Sequence, residues 1–118
     1  MNDQSVIWTV GINCSAEDED KFNVWYDDVH VPMLMQGDCV RKVSRFKLAE
    51  ETYHVGVTTQ PCPTYLTIYE FDNQEKFEDW MKSPSRIEAG EDKTKTWGDK
   101  VYDVQWATRY DITNTWNG

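Results

Sequence analysis

His30 is the side chain in this sequence best suited to chemistry near neutral pH, because imidazole changes charge between about pH 5 and 8. It sits in the run NVWYDDVHVPMLM, residues 23–35, after Trp25, Tyr26, Asp27 and Asp28 and two residues before Pro32. At about 100° per residue, Phe22, Trp25, Tyr26, Val29 and Met33 share an arc of roughly 100°, the width of a core-facing stripe. His30 falls at the margin of that stripe, with Asn23 and Asp27 along the same flank and Asp28 turned to solvent. Asp27, three residues earlier, is spaced to accept a ring N–H, fix the tautomer and make the imidazole more basic. With that partner the folded-state pKa should exceed about 6.5, whereas burial without it should lower the value. The same histidine equally suits a helix end, where the dipole and a terminal carbonyl favour it without any chemistry. The second histidine, His54, has no acidic neighbour at helical spacing and reads as structural or exposed.

No nucleophile motif, metal-ligand cluster, glycine-rich phosphate loop or dinucleotide fingerprint is present. Any catalysis is therefore general acid/base work or belongs to a guest cofactor, and the expectation is the former, with no metal and no cofactor, on a molecule held by neighbouring rings. Tyr26 is the candidate donor to a developing oxyanion. Trp25, Tyr65, Tyr69 and Asn23 are the candidate walls of a substrate pocket.

The elements that must position these residues follow from periodicity. Residues 5–13 alternate Val6, Trp8, Val10 and Ile12 against Ile7, Thr9, Gly11 and Asn13, which is strand periodicity. Ser15, with Asp18 in the reciprocal position of a capping box, starts a helix over about 16–30. Pro32 removes a backbone donor and biases Val31 away from helical angles, so the regular helix should end or kink there. Residues 40–48 read as a second strand whose Arg41, Lys42, Arg45 and Lys47 suit a charged edge. A long connection over 49–63 contains Gly56, Pro61 and Pro63, and its length raises the prospect of a functional role. Residues 64–71, TYLTIYEF, form the clearest strand. Asp72 with Glu75 caps a second helix that buries Phe77, Trp80 and Met81, and Ser83-Pro84-Ser85 restarts it as far as Trp97 and Gly98. A last strand, 101–112, places Tyr102, Val104, Trp106, Tyr110 and Ile112 on one face.

The order βαββαβ on a four-stranded antiparallel sheet is the ferredoxin-like arrangement of the α+β class. Its two helices cover one face only, yet both faces of strands one and three carry apolar residues. A second copy of the sheet is the simplest cover, giving a homodimer with a barrel-like interior.

At 118 residues the chain is long enough for one core and too short for two, so residues 1–118 form a single domain. A net charge of -9, from 21 acids and 12 bases, would repel nucleic acid. No apolar run approaches a membrane span, and the N-terminus MNDQ lacks the features of a signal peptide, so a cytoplasmic protein is expected, with no membrane partner. Cys14, Cys39 and Cys62 are odd in number and widely spaced, as reduced thiols would be. Six Trp, six Tyr and four Phe supply rings for both a core and a pocket for a small hydrophobic or aromatic molecule.

The run KFNVWYDDVHVPMLM, followed by VRKVSRFK and PTYLTIYEF, resembles the EthD-like family of the dimeric α+β barrel superfamily. There a helix with a W-Y-x-x-x-H-x-P pattern precedes a strand ending in an Arg-aromatic pair, here Arg45-Phe46. The likeness runs from about Ser5 to Ile112 and implies a homodimer with a pocket between helices and sheet in each subunit, His30 matching the family's helix histidine. It is weaker toward the superfamily's haem-degrading branch, whose histidine lies on the second helix. The resemblance implies oxidative degradation or polyketide-type cyclisation, dehydration or decarboxylation. The leading expectation is a small cofactor-independent enzyme of lyase, cyclase or oxygenase type, with His30 oriented by Asp27. A non-enzymatic small-molecule binder or accessory protein of an oxidative degradation pathway is the alternative, and a haem or oxygen-chemistry protein the third reading.

Overall fold

The computed structural model describes residues 4–49, 62–98 and 103–118. The connection expected over 49–63 lies almost wholly outside them, as do His54 and the expected start of the last strand. In chain order the elements are β1 (Val6–Asn13), α1 (Glu19–Trp25), a π-helical turn (Tyr26–His30), α2 (Val31–Leu34), β2 (Lys42–Lys47), β3 (Tyr65–Phe71), α3 (Gln74–Met81), α4 (Pro84–Trp97) and β4 (Asp103–Asp111). The four strands form one antiparallel sheet in the order β2-β3-β1-β4, with β2 and β4 at the edges. This is the ferredoxin-like topology expected from the element order.

Register follows the hydrophobic alternation. Val6, Trp8, Val10 and Ile12 stand opposite Phe71, Tyr69, Thr67 and Tyr65, so these eight side chains share the face toward the helices. Two clusters grow from it. One joins Val6, Tyr69 and Phe71 to Leu34, Phe77, Trp80 and Ala89, and the other joins Ile12 and Tyr65 to Phe22, Trp25, Tyr26 and Trp97. Trp80 also donates from its indole to the Leu34 carbonyl at 2.9 Å, tying α3 to the end of α2.

Three local expectations change. Ser15 and Asp18 do bond reciprocally, with the hydroxyl donating to the carboxylate at 3.0 Å and the Asp18 amide donating back to the hydroxyl at 3.3 Å, but they close a turn ahead of the helix, which starts at Glu19. The cap of α3 is Asn73, whose side chain accepts from the Lys76 amide at 2.9 Å, while Asp72 pairs with Arg41 at 3.2 Å. In β4, a bulge opposite Gly11 and Ile12 pairs Gly11 with Trp106 and Ile12 with Val104. Val104 therefore joins the helix-side face and leaves the face of Trp106 and Tyr110. Elsewhere the expectation holds: Ser83 caps α4 by accepting from the Arg86 amide at 3.3 Å, Pro84 opens the helix, and Gly98 ends it at φ 60.

The opposite face of the sheet carries Ile7, Leu66, Ile68, Phe46, Trp106 and Tyr110, and among the described residues no helix covers its large rings. Phe46, Trp106 and Tyr110 are 52%, 40% and 58% exposed.

Candidate functional site

Pro32 does not end the helix. The Val31 amide bonds to the Tyr26 carbonyl five residues back, and Val31 stays helical at φ -62, ψ -47. One extra residue in the turn relieves the clash between a proline ring and the carbonyl four positions earlier, and the chain continues helically to Leu34. The cost is a phase slip of roughly 100°. Val29, expected in the buried stripe, swings out to 37% exposure, and His30 swings in.

The His30 ring lies between two aromatics. Trp25 stacks on it with centroids 4.6 Å apart and planes at 25°, and Tyr26 meets it edge-on at 4.9 Å. The Trp25 indole in turn donates to Asp92 on α4 at 2.8 Å, which holds the stack in place. The His30 Nδ1 is buried and has no hydrogen-bond partner among the described residues. Burial, with a smaller contribution from the Lys93 charge, lowers its pKa from 6.5 to about 4, so the imidazole is neutral at pH 7.

Asp27 is not the partner of this ring. Its carboxylate accepts from Arg45 Nη1 at 2.6 Å, and Arg45 Nη2 reaches the Asn23 side-chain oxygen at 3.1 Å. Arg45 points from β2 toward the helices, its guanidinium 4.4 Å from the Tyr26 ring centroid, and is no simple edge charge. Asn23 also donates to the Tyr65 hydroxyl at 2.9 Å, and Tyr65 donates to Glu19. The flank inferred from the helical wheel therefore exists, but it is an ionic network around Arg45 on the far side of Tyr26.

A cavity of about 440 Å³ opens between α4, the π-helical turn and the sheet. Tyr26, His30 and Tyr69 line it together with Trp8, Trp80 and Val104. Of the residues expected to build the site, these first three meet there; Trp25 backs His30 from behind, and Asn23, Asp27 and Tyr65 belong to the network outside. The Tyr26 and Tyr69 hydroxyls are 3.1 Å apart and buried. Burial pushes the Tyr26 phenol pKa up, so it remains a proton donor. Arg86 and Lys93, both unforeseen, also line the cavity from α4. A basic residue on a helix reads as solvent-facing, and the only hint was the small pair Ala89-Gly90 between them, which leaves room beside the helix. Cys14 and Cys39 are free, and burial raises both thiol pKa values, so neither is a ready nucleophile. Among the described residues no group of His, Cys, Asp or Glu converges to hold a metal, and no helix is long and apolar enough to cross a membrane.

The model of the family described as "Domain of unknown function (DUF4286)" matches residues 5–115. No curated protein matches the sequence. Among solved structures, an ethyl tert-butyl ether degradation (EthD) family protein from Bacillus halodurans superposes with a TM-score of 0.62 at 15% identity, covering 92% of this chain and 99% of that one. SnoaB, a cofactor-independent oxygenase from Streptomyces nogalater, gives 0.59 at 7% identity over 97% and 96%. The hydroxynitrile lyase from Passiflora edulis gives 0.56 at 13% identity over 98% and 100%. The fold is thus shared with EthD-like proteins and is that of a ferredoxin-like α+β subunit.

Proposed function

The chain belongs to the DUF4286 family, and from that footing we propose that it is a small cofactor-independent enzyme in which His30 exchanges a proton with an aromatic or polyketide-like molecule. The observation that carries this reading is His30 itself, a neutral imidazole clamped by two rings at the wall of a 440 Å³ aromatic cavity, with a buried Nδ1 that no group among the described residues satisfies. A buried polar atom without a partner is disfavoured unless something else recovers the loss. The neutral ring has one nitrogen able to take a proton, and a bound ligand supplies it. In this scheme Tyr26, whose phenol stays protonated in its buried site and bonds the Tyr69 hydroxyl at 3.1 Å, is the donor to an oxygen that gains charge. The named oxygenase and lyase of like fold support the class of chemistry, since both act on small molecules within this architecture. Aldol-type cyclisation and dehydration begin with proton abstraction beside a carbonyl, and decarboxylation ends with proton delivery to the enolate left by loss of CO2.

Asp27 enters the scheme only through Arg45, whose guanidinium it holds against Tyr26. The uncovered sheet face supports a homodimer, with Phe46, Trp106 and Tyr110 meeting their counterparts.

The test is exchange of the acidic methylene protons of benzoylacetone in heavy water, followed by NMR. Wild-type protein should accelerate it, and His30→Gln, which keeps a planar side chain against Trp25, should remove about two to four powers of ten of that acceleration. Unchanged exchange in a folded His30→Gln variant would favour the binder or accessory reading instead.

A further inference from the structure

Resting on the reading of the cavity as a substrate site, we propose that its ligand is an anion: a flat, largely apolar molecule bearing a carboxylate or enolate oxygen that Arg86 and Lys93 receive. The chain carries 21 acids against 12 bases, yet among the described residues that line the cavity both charged side chains are cations and none is Asp or Glu. Arg86, Gly90 and Lys93 are four and three residues apart along α4, which puts them on one face of the helix. Ala89 and Gly90 keep that face low between the two cations, so a ligand can lie against the helix backbone there.

Arg86 is already in position. Its guanidinium rests 5.3 Å from the Trp80 ring centroid, and Nη1 donates to the Met81 carbonyl at 3.3 Å. That engages one of five N–H donors and fixes the plane of the fork, the geometry suited to two oxygens of a carboxylate. Lys93 acts on the same space as His30, since its charge opposes protonation of the imidazole. The nearest acid on that turn, Asp92, accepts the Trp25 indole N–H behind the histidine. Walls of Trp8, Tyr69 and Trp80 put low-dielectric surface beside the half-buried cations, which strengthens their pull on an anion relative to open solvent.

Calorimetric titration of the full-length protein with naphthoate, and separately with naphthamide, tests the inference, because the two differ chiefly in charge. Naphthoate should bind at least about tenfold more tightly, a gap of about 1.4 kcal/mol. Lys93→Gln and Arg86→Gln should each erase most of that gap while leaving naphthamide affinity in place, and Arg86→Lys should restore part of it. Should Arg86→Gln fail to fold for want of its stack on Trp80, Lys93→Gln still decides. Equal affinities for the two probes, loss of both in the Lys93 variant, or no naphthoate binding would overturn the proposal. His30→Gln should keep the preference for the anion, so a failure of proton exchange and a failure of anion recognition are told apart.

Discussion

His30 is where the residue scale carries most consequence. An acid three residues earlier would have raised its pKa, but that acid is bonded to Arg45, and burial lowers the value to about 4 instead. In the unfolded chain the group titrates near 6.5, so between that value and about 4 the unfolded state binds more protons than the folded state. The stability contributed by the neutral ring is therefore complete above pH 6.5 and is lost as pH falls toward 4. NMR titration of the imidazole should show a ring still neutral at pH 6, and denaturant melts of wild type and His30→Gln should converge as the solution is acidified through that window. A midpoint above 6.5 would contradict the burial described here. Asp27→Asn should disturb His30 little, because its effect runs through Arg45 and Tyr26; an imidazole midpoint that shifts as much as it does in a Trp25→Ala variant would count against that route.

Elements were legible in the sequence wherever period and length agreed. β1 and β3 alternate cleanly because one face is buried by helices, and Ser83-Pro84 with Gly98 marks both ends of α4. The helix carrying His30 is less legible, because a π-helical turn accommodates Pro32 and rotates everything that follows, and no 3.6-residue periodicity reveals that extra residue. An unbroken helical wheel therefore sets Asp27 beside His30, whereas its carboxylate accepts from Arg45. Two substitutions check the element boundaries. Asn73→Ala should cost α3 its cap, about 1 kcal/mol by chemical denaturation, while Asp72→Ala, which breaks only an exposed ion pair, should cost roughly half a kcal/mol or less. Gly11→Ala should displace the Trp106 indole, because a Cβ there would stand 2.8 Å from its Cε2 and 2.9 Å from Pro63 Cγ. A shift in tryptophan emission with a lowered melting point is the expected signature.

For the molecule as a whole, the decisive quantity is what covers the open face of the sheet. Sedimentation at micromolar concentration should give a dimer of the 13.9 kDa chain, and Phe46→Glu should convert it to monomer without unfolding it, since Phe46 is half exposed on the sheet face opposite the helices. A wild-type monomer would remove the barrel reading. The other face should behave as a core: Trp80→Ala, which removes a ring only 2% exposed, should cost about 3 to 5 kcal/mol. The turn at Tyr26–His30 has a further consequence for comparing this chain with others. A relative whose helix runs without the extra residue reaches the counterpart of Leu34 one position sooner. An ungapped alignment of the two will then agree on Phe22 and Trp25 and set His30 opposite the wrong neighbour. One gap inside a helix, where alignments are normally forbidden to open, is what brings the histidines into register.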